Sequence, residues 1–190
     1  MSAMQMVLRG IDYIHQMGIV HRDVKPSNIL VFEKGNVKLC DFGLAISKNN
    51  ADWSIRDTGV GTKQYMAPEM LLEIYEYDCA VDIWGVGCCL VEMATRSMLF
   101  GPEKRTWEEQ LRYTFLILGT PERHEWPIFF EMYPKYPKIV SNGIESILTE
   151  NPELVQLAKK LLTLNPSRRC TAQYALDDDF FWNTTEELLS

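Results

Sequence analysis

The chain has 190 residues, of which 46% are hydrophobic and 24% are charged, and its formal net charge is −7. This is enough apolar material for one hydrophobic core, so a single domain is expected. The acidic balance argues against a nucleic-acid-coating surface, and no apolar run is long enough to cross a bilayer. Five cysteines without a CxxC pair favour core thiols over disulfides or a zinc site. With no signal peptide visible, we expect a soluble intracellular protein with no nucleic-acid or membrane partner.

The first predicted elements are a helix and a β-hairpin. Residues 3–17 carry apolar side chains at helical spacing, and Gly18 is a typical residue to end a helix. The short apolar runs 29–32 and 37–39 are joined by the turn 33–36, where Gly35 and Asn36 tolerate a positive φ. We therefore predict a core helix followed by two short antiparallel strands.

The rest of the chain is predicted to be largely helical. Residues 44–66 are polar and irregular, whereas residues 82–95 are apolar nearly all round, as in a helix that is buried on every side. Amphipathic patterns predict helices over 107–118 and 152–164, separated by a stretch rich in proline and aromatic residues. Thr171 is expected to cap a short last helix. The fold class indicated is mainly α.

Polar residues lie in the sequence just before and just after the predicted hairpin. Asp23 and Asn28 precede the first strand, and Asp41 follows the second. Because a hairpin places the start of its first strand beside the end of its second, these side chains are expected to lie at one end of it. Carboxylate and amide oxygens at one place indicate a site for a metal ion and phosphate.

Three motifs, in this order, resemble those of eukaryotic protein kinases. They are His21-Arg22-Asp23-Val24-Lys25-Pro26-Ser27-Asn28, Asp41-Phe42-Gly43 and Ala67-Pro68-Glu69, which are similar to the catalytic loop, the metal-binding loop and the end of the activation segment. The resemblance implies the helical C-terminal lobe of the protein kinase fold over residues 1–181, with a small β-hairpin at the catalytic loop and 182–190 as a tail. The chain shows no counterpart of the family's Gly-rich loop, strand lysine or partner glutamate, so we expect the N-terminal β lobe to be absent.

The resemblance also implies a reaction, the transfer of the γ-phosphate of ATP to serine or threonine hydroxyls of protein substrates, with Mg²⁺ as the second cofactor. Asp23 would be the catalytic base, and Lys25 would place a cation on the transferred phosphate. Asn28 and Asp41 would be the oxygen ligands of Mg²⁺. Leu30 matches the position that packs under the adenine ring; the alternative for this residue is an ordinary core position in a strand.

Two further positions indicate the substrate class and its regulation. Kinases that act on serine and threonine carry the residues found at Lys25 and Thr62, and tyrosine kinases differ at both, so Thr62 is counted with the catalytic residues. Arg22 resembles the cation that receives a phosphate on the activation segment. Thr58 is the expected acceptor of that phosphate, with Asp57 as a weak permanent mimic.

Five residues are expected to have structural roles. Glu69 and Arg169 resemble the buried ion pair of the family. Asp82 begins the predicted buried helix, where it is expected to cap the helix. The resemblance implies that its carboxylate also accepts hydrogen bonds from the catalytic loop, and both roles can hold together. His21 and Phe42 belong to the motifs themselves.

The branch indicated is that of the cyclin-dependent kinases. Leu118-Gly119-Thr120-Pro121-Glu122 and the insert that follows resemble that branch and its relatives, the MAP kinases. This resemblance implies a cyclin-like or other regulatory subunit and a location in the nucleus, the cytoplasm or both. Met66 stands where these families usually have an arginine that supports a preference for proline after the phosphoacceptor, so the resemblance does not extend to that preference.

Two functions remain open from the sequence. The first is an ATP-dependent serine/threonine kinase, which the intact Asp23, Asn28 and Asp41 favour. The second is a catalytically inactive kinase fragment that acts as a protein interaction module through its substrate groove and insert, which the expected absence of the N-terminal lobe favours. That absence would also expose an apolar surface around Leu30 and Leu39.

Overall fold

The structure, a computed structural model, describes residues 2–48, 59–101, 104–149 and 151–186. Its described part is rich in helices and contains two small two-stranded sheets. The helices are α1 (Ala3–Gln16), α2 (Pro68–Leu71), α3 (Ala80–Thr95), α4 (Trp107–Leu118), α5 (Pro127–Met132), α6 (Pro152–Leu161), α7 (Ala172–Leu176) and α8 (Asp179–Glu186). The strands are β1 (Ile19–Val20), β2 (Ile29–Val31), β3 (Val37–Leu39) and β4 (Ile46–Ser47). The predicted predominance of helix is confirmed.

Helix α1 begins with a capping box and ends as the sequence predicts. The Ser2 hydroxyl accepts a hydrogen bond from the Gln5 N–H, and the Gln5 side chain accepts one from the Ser2 N–H. These two bonds satisfy donors that the first helical turn leaves free. Gly18 follows the helix with a φ of 73°, a conformation that glycine adopts without strain. The buried face of α1, which packs on β3 and α7, is the predicted apolar one.

The predicted hairpin is present as β2 and β3, with a turn that differs from the expectation. The antiparallel register pairs Ile29 with Leu39 and Val31 with Val37. The two residues with positive φ are Lys34 (64°) and Gly35 (76°), whereas Asn36 is extended. The expectation that Asn36 shares the positive φ is therefore wrong, because the turn places its two left-handed residues one position earlier.

The stretch predicted to be irregular contains β4, which pairs antiparallel with β1. The register joins Ile19 to Ser47 and Val20 to Ile46. This small sheet holds the chain after the hairpin against the chain before it. Thr58 and Asp57, the expected phosphate acceptor and its mimic, lie outside the described residues.

Helix α3 is buried on nearly every side, as predicted. Every residue from Val81 to Val91 is buried, and the Trp84 ring stacks on Phe100 with 5.6 Å between the ring centroids. The helix begins at Ala80 with Cys79 in the N-cap position, so the expectation that Asp82 caps the helix is wrong. Asp82 lies within the first turn, and its carboxylate accepts hydrogen bonds from the chain around His21.

Helix α6 is shorter than predicted and ends at Leu161. The Asn151 side chain caps its start by accepting a hydrogen bond from the Leu154 N–H. At the other end, the carbonyls of Thr163 and Leu164 accept hydrogen bonds from the Arg169 guanidinium. The side chain that takes these acceptors comes only five and six residues later in the chain, outside the helix, so the sequence of the helix alone does not reveal it.

The proline- and aromatic-rich stretch contains helix α5, which begins at Pro127 and packs its aromatic residues together. Phe129 is fully buried, and its ring centroid lies 5.4 Å from that of Phe115 and 5.2 Å from that of Tyr136. Trp126 stacks on it at 5.6 Å. These contacts fasten the predicted insert to α4.

The cysteines are all free thiols. Cys88 and Cys89 are buried in α3, where burial is the main cause of their raised pKa values. The expectation of core thiols is thus confirmed for this pair, whereas Cys40, Cys79 and Cys170 are only half-buried. No helix in the described part of the chain is long and apolar enough to span a membrane.

Candidate active site

The loop after β1 is held in place by the carboxylate of Asp82. The backbone N–H groups of His21 and Arg22 each donate to Asp82 at 2.8 Å, and His15 Nε2 lies 2.8 Å from the same carboxylate. Arg22 has a φ of 68°, which a residue with a side chain adopts only when its surroundings compensate for the strain. The carboxylate, fixed on the buried helix α3, thus positions the residue directly before Asp23.

His21 connects this loop to the end of the hairpin. Its ring is fully buried, Nδ1 accepts a hydrogen bond from the Asp23 N–H, and Nε2 lies 3.0 Å from the Cys40 carbonyl. The two contacts together require the tautomer with the proton on Nε2. The Phe42 ring packs edge-on against His21 with 4.9 Å between centroids. Both residues therefore contribute to the architecture around Asp23 and Asp41.

The buried carboxylate of Asp23 is surrounded by donors. Lys25 Nζ lies 2.7 Å from Oδ2, Asn28 Nδ2 donates to Oδ2 at 3.1 Å, and Thr62 donates to Oδ1 through both its N–H (3.0 Å) and its hydroxyl (2.8 Å). Burial by itself raises the pKa of Asp23, but the hydrogen bonds from Lys25 and Thr62, the charge of Lys25 and the Asn28 amide outweigh it and lower the pKa below its ordinary 3.8. Asp23 is therefore ionised at neutral pH.

Lys25 and Thr62 also contact each other. Lys25 Nζ donates to the Thr62 hydroxyl at 2.7 Å, so the lysine, the threonine and the aspartate form a closed set of three contacts. The sequence places Lys25 near Asp23, but it does not reveal that Thr62, 39 positions away, reaches the same carboxylate.

Asn28 and Asp41 are brought to the same end of the hairpin. The Asn28 carbonyl accepts a hydrogen bond from the N–H of Cys40, the residue before Asp41. The Asn28 amide nitrogen donates to the Asp23 carbonyl and carboxylate, which leaves its amide oxygen for other ligands. Asp41 is exposed, has a φ of 61°, and uses one carboxylate oxygen to accept from the Gly43 N–H.

These two side chains fit a hard cation such as Mg²⁺. One amide oxygen and one carboxylate supply the oxygen ligands that Mg²⁺ prefers, and they are few enough for water and phosphate to complete its shell. In the described residues no group of three His, Cys, Asp or Glu side chains is placed to bind a metal ion. The donor set thus differs from that of a structural zinc site.

The Arg22 side chain donates to a carbonyl and a hydroxyl near the site. Its Nε donates to the Leu44 carbonyl at 2.6 Å, and its guanidinium donates to the Tyr77 hydroxyl at 2.9 Å. Tyr77 is buried, and the sequence did not indicate that it contacts this site. The guanidinium therefore bridges the chain after Gly43 and the chain before α3.

Leu30 occupies an exposed position on β2. Its side chain is 44% exposed, so the alternative of an ordinary core position is wrong. The cause is the hairpin itself, because β2 and β3 form a two-stranded sheet and Leu30 lies on the face that no described element covers. Leu39, in contrast, is half-buried and lies against α1 beside Gly10, so the exposed surface does not include it.

Glu69 and Arg169 form the expected buried ion pair. Two parallel contacts of 2.7 Å and 2.9 Å join the guanidinium to the carboxylate, and both side chains are almost fully inaccessible to solvent. Arg169 also donates to the Ala80 carbonyl at the start of α3. The pair thus links α2 to α3 and to the segment before α7.

Gly61 is a site residue that the sequence analysis missed. Its φ is 102°, and a Cβ atom there would lie 2.6 Å from the Arg22 carbonyl oxygen and 3.7 Å from Asp23 Oδ1. Only glycine lets the backbone approach so closely. The signal in the sequence that could have identified it is its position directly before Thr62.

Comparison with known proteins gives the family. Residues 1–181 match the protein kinase domain. This chain belongs to the protein kinase family. It is 37% identical over 95% of its length to cyclin-dependent kinase 20 of Danio rerio, and 39% identical over 93% of its length to a probable serine/threonine-protein kinase, a KIN28 homologue, of Encephalitozoon cuniculi. The similarity to cyclin-dependent kinases inferred from the sequence is confirmed.

A solved structure agrees with this assignment. The crystal structure of the yeast RNA Pol II CTD kinase CTDK-1 complex contains a chain that matches 94% of this one with a TM-score of 0.85 and 36% sequence identity. This protein kinase chain spans about half the length of the curated relatives it matches, 54% and 56% for the two named above, and 60% of the matched crystallised chain.

Proposed function

We propose that the protein transfers the γ-phosphate of ATP to serine or threonine hydroxyls of protein substrates, and that residues 1–181 form the large lobe of the kinase fold. The observation that carries this proposal is the Asp23 carboxylate, which is buried, ionised and contacted by Lys25, Asn28 and Thr62. A purely structural ion pair would explain the contact with Lys25 but not those with Asn28 and Thr62. The additional contacts fix the carboxylate's orientation, as positioning of a reacting group requires.

Asp23 is proposed to act as the base toward a substrate hydroxyl. The carboxylate would accept a hydrogen bond from that hydroxyl, orient its oxygen and take its proton as the new oxygen–phosphorus bond forms and the bond from phosphorus to the departing ADP oxygen breaks. Thr62, which donates twice to Oδ1, holds the carboxylate in place. The low pKa of Asp23 suits orientation of the hydroxyl better than early removal of its proton.

Lys25, Asn28 and Asp41 are proposed to hold the phosphates and the metal. Bound Mg²⁺-ATP would supply the phosphoryl group with part of its charge already neutralised. Asn28 and Asp41 present oxygens to the metal, and the Lys25 ammonium, 2.7 Å from Asp23, lies where a transferred phosphate would meet the base. Leu30, exposed on β2, is proposed to pack against the adenine.

Regulation is proposed to act through Arg22. A phosphate on Thr58 would add negative charge, and the Arg22 guanidinium is a suitable partner for it. The similarity to cyclin-dependent kinases supports a cyclin-like or other regulatory subunit, and a location in the nucleus, the cytoplasm or both. Protein substrates are proposed on the same grounds.

A second candidate function is that of a protein interaction module without catalysis. It is favoured by a cavity of about 880 Å³ between α2, the start of α4 and the insert after α5. Its walls combine apolar side chains such as Leu72, Leu111 and Tyr133 with charged ones. Such a concave, mostly apolar surface suits the binding of another polypeptide.

Asp23→Asn is the variant that tests the proposed reaction. Loss of a general base typically lowers the rate by about 10²–10⁴-fold, so phosphate transfer from radiolabelled ATP to a serine peptide should fall by that range. Asp177→Asn, the same change at an exposed site directly after α7, should leave the rate unchanged. Because the pKa of Asp23 is lowered, this group stays ionised between pH 5 and 8, and its protonation should not change the wild-type rate in that range. A folded wild-type chain that transfers no phosphate would contradict the proposal and favour the interaction module.

A further inference from the structure

One lysine next to the proposed phosphoacceptor site has no role in the reaction described above. Lys63 directly follows Thr62, whose hydroxyl and N–H contact the Asp23 carboxylate. Between Gly59 and Met66 it is the only charged residue in the sequence. The charge that this segment presents is therefore that of Lys63.

The Lys63 ammonium is held by neutral groups. Nζ donates to the Arg105 carbonyl at 3.0 Å and lies 4.6 Å from the centroid of the Trp107 ring. Within the described part of the chain no carboxylate lies within ion-pair distance of it. A backbone carbonyl and an aromatic ring orient a cation without cancelling its charge. The side chain is therefore fixed, while its positive charge remains available.

A second cation, Arg105, lies beside Lys63, although the chain as a whole is acidic. The Arg105 guanidinium lies 3.9 Å from the centroid of the Tyr113 ring and donates to the Phe100 carbonyl. An acidic group also lies nearby: the carboxylate of Glu109 accepts a hydrogen bond from the Thr106 N–H in the capping box of α4, and that bond, with smaller contributions from the charges of Arg105 and Lys63, lowers its pKa. Glu109 therefore stays ionised, but because it forms no ion pair with Lys63 among the described contacts, it offsets only part of the charge of that lysine.

Lys25, the other lysine at the site, differs in this respect. It lies 2.7 Å from the Asp23 carboxylate, and that contact compensates its charge. A second negative group arriving with a substrate would therefore be attracted to Lys63 more than to Lys25. Lys25 thus belongs to the reacting centre, whereas Lys63 belongs to a neighbouring subsite that can attract a negative group of the substrate.

We infer that Lys63 is a specificity-determining residue that favours substrates with an aspartate or glutamate close to the phosphoacceptor serine or threonine. The inference rests on the proposed function for the identity of the substrate, but the preference itself is a property of binding. A partly exposed ion pair changes affinity by about two- to fivefold. It also weakens as salt screens the two charges.

Peptide pairs test this inference on the full 190-residue chain. Each pair has one serine in an uncharged, fluorescently labelled peptide and differs by a single Glu or Gln at one of the three positions on either side. Binding is measured by fluorescence anisotropy, and phosphate transfer to the same peptides is measured separately. We expect the Glu peptide to bind about two- to fivefold more tightly than its Gln partner at one or two positions, and less so at high salt.

Variants at position 63 attribute the preference to this side chain. Lys63→Gln should abolish it, Lys63→Arg should retain it and Lys63→Glu should invert it. Lys38→Gln is the matched control, because Lys38 also lies over an aromatic ring, Phe32, but on the hairpin. A preference that Lys63→Gln leaves intact, or no preference at any position, would overturn the inference. Selective binding without phosphate transfer would support the inference and contradict the proposed function, whereas transfer without selectivity would do the reverse.

Discussion

Replacing Arg169 by alanine is expected to lower the free energy of unfolding by about 3–5 kcal/mol, because removal of one partner leaves the other as an uncompensated buried charge. Glu69 would lose both of its short contacts with the guanidinium. The carbonyls of Ala80, Thr163 and Leu164 would lose a donor as well. For a chain of this size each kcal/mol shifts the melting temperature by about 2–4 °C, so calorimetry should record a clear decrease.

Arg168→Ala is the control for this experiment. Arg168 is the neighbouring arginine, but it is exposed, and its guanidinium donates to the His124 carbonyl. Its replacement should change the melting temperature by no more than a degree or two. An Arg169→Ala protein that melts at the wild-type temperature would show that the pair does not stabilise the fold.

Gly85→Ala is expected to destabilise the protein by about 1–3 kcal/mol and to displace the loop that carries Asp23. A Cβ at Gly85 would lie 2.7 Å from the Val24 carbonyl oxygen and 2.8 Å from Val24 Cβ. The contact is with backbone, and α3 is buried on nearly all sides, so neither partner can move away cheaply. Because Val24 lies between Asp23 and Lys25, displacement of this loop should also lower the rate of phosphate transfer of those molecules that remain folded.

Gly10→Ala provides the comparison. Gly10 is also inside a helix, α1, but a Cβ there would meet only the end of the Leu39 side chain, at 3.3 Å. Alanine is favoured over glycine in a helix interior by up to about 1 kcal/mol, so this variant should unfold at the wild-type denaturant concentration or above. Equal midpoints for both variants would mean that the approach of α3 to the loop is not tight.

The elements that could be predicted from the sequence depend on local patterns. The apolar spacing of α1, the runs that form β2 and β3, and the cap at Thr171 each concern residues a few positions apart. Local pattern also accounts for the juxtaposition of Asn28 with the chain before Asp41, since a hairpin determines it. The family motifs supplied the pairing of Glu69 with Arg169, which 100 positions separate.

The features that could not be predicted depend on contacts between distant segments. Asp82 is placed like a helix cap in the sequence, yet its carboxylate is used by the loop 60 residues earlier. The end of α6 is a local exception, since the guanidinium that contacts the carbonyls of Thr163 and Leu164 comes from Arg169, six and five residues further along the chain. The burial of Leu30 depends on whether another element covers β2, and no pattern within the strand contains that information.

Calorimetric titration of the 190-residue chain with Mg²⁺-ATP tests the proposed nucleotide site most directly. We expect saturable binding that requires Mg²⁺ and that Asp41→Asn abolishes, because the variant removes the one carboxylate offered to the metal. Asp177→Asn serves as the control for the charge change. Absence of binding by a folded wild-type sample, or equal binding by the Asp41→Asn protein, would contradict a functional metal–phosphate site at Asn28 and Asp41.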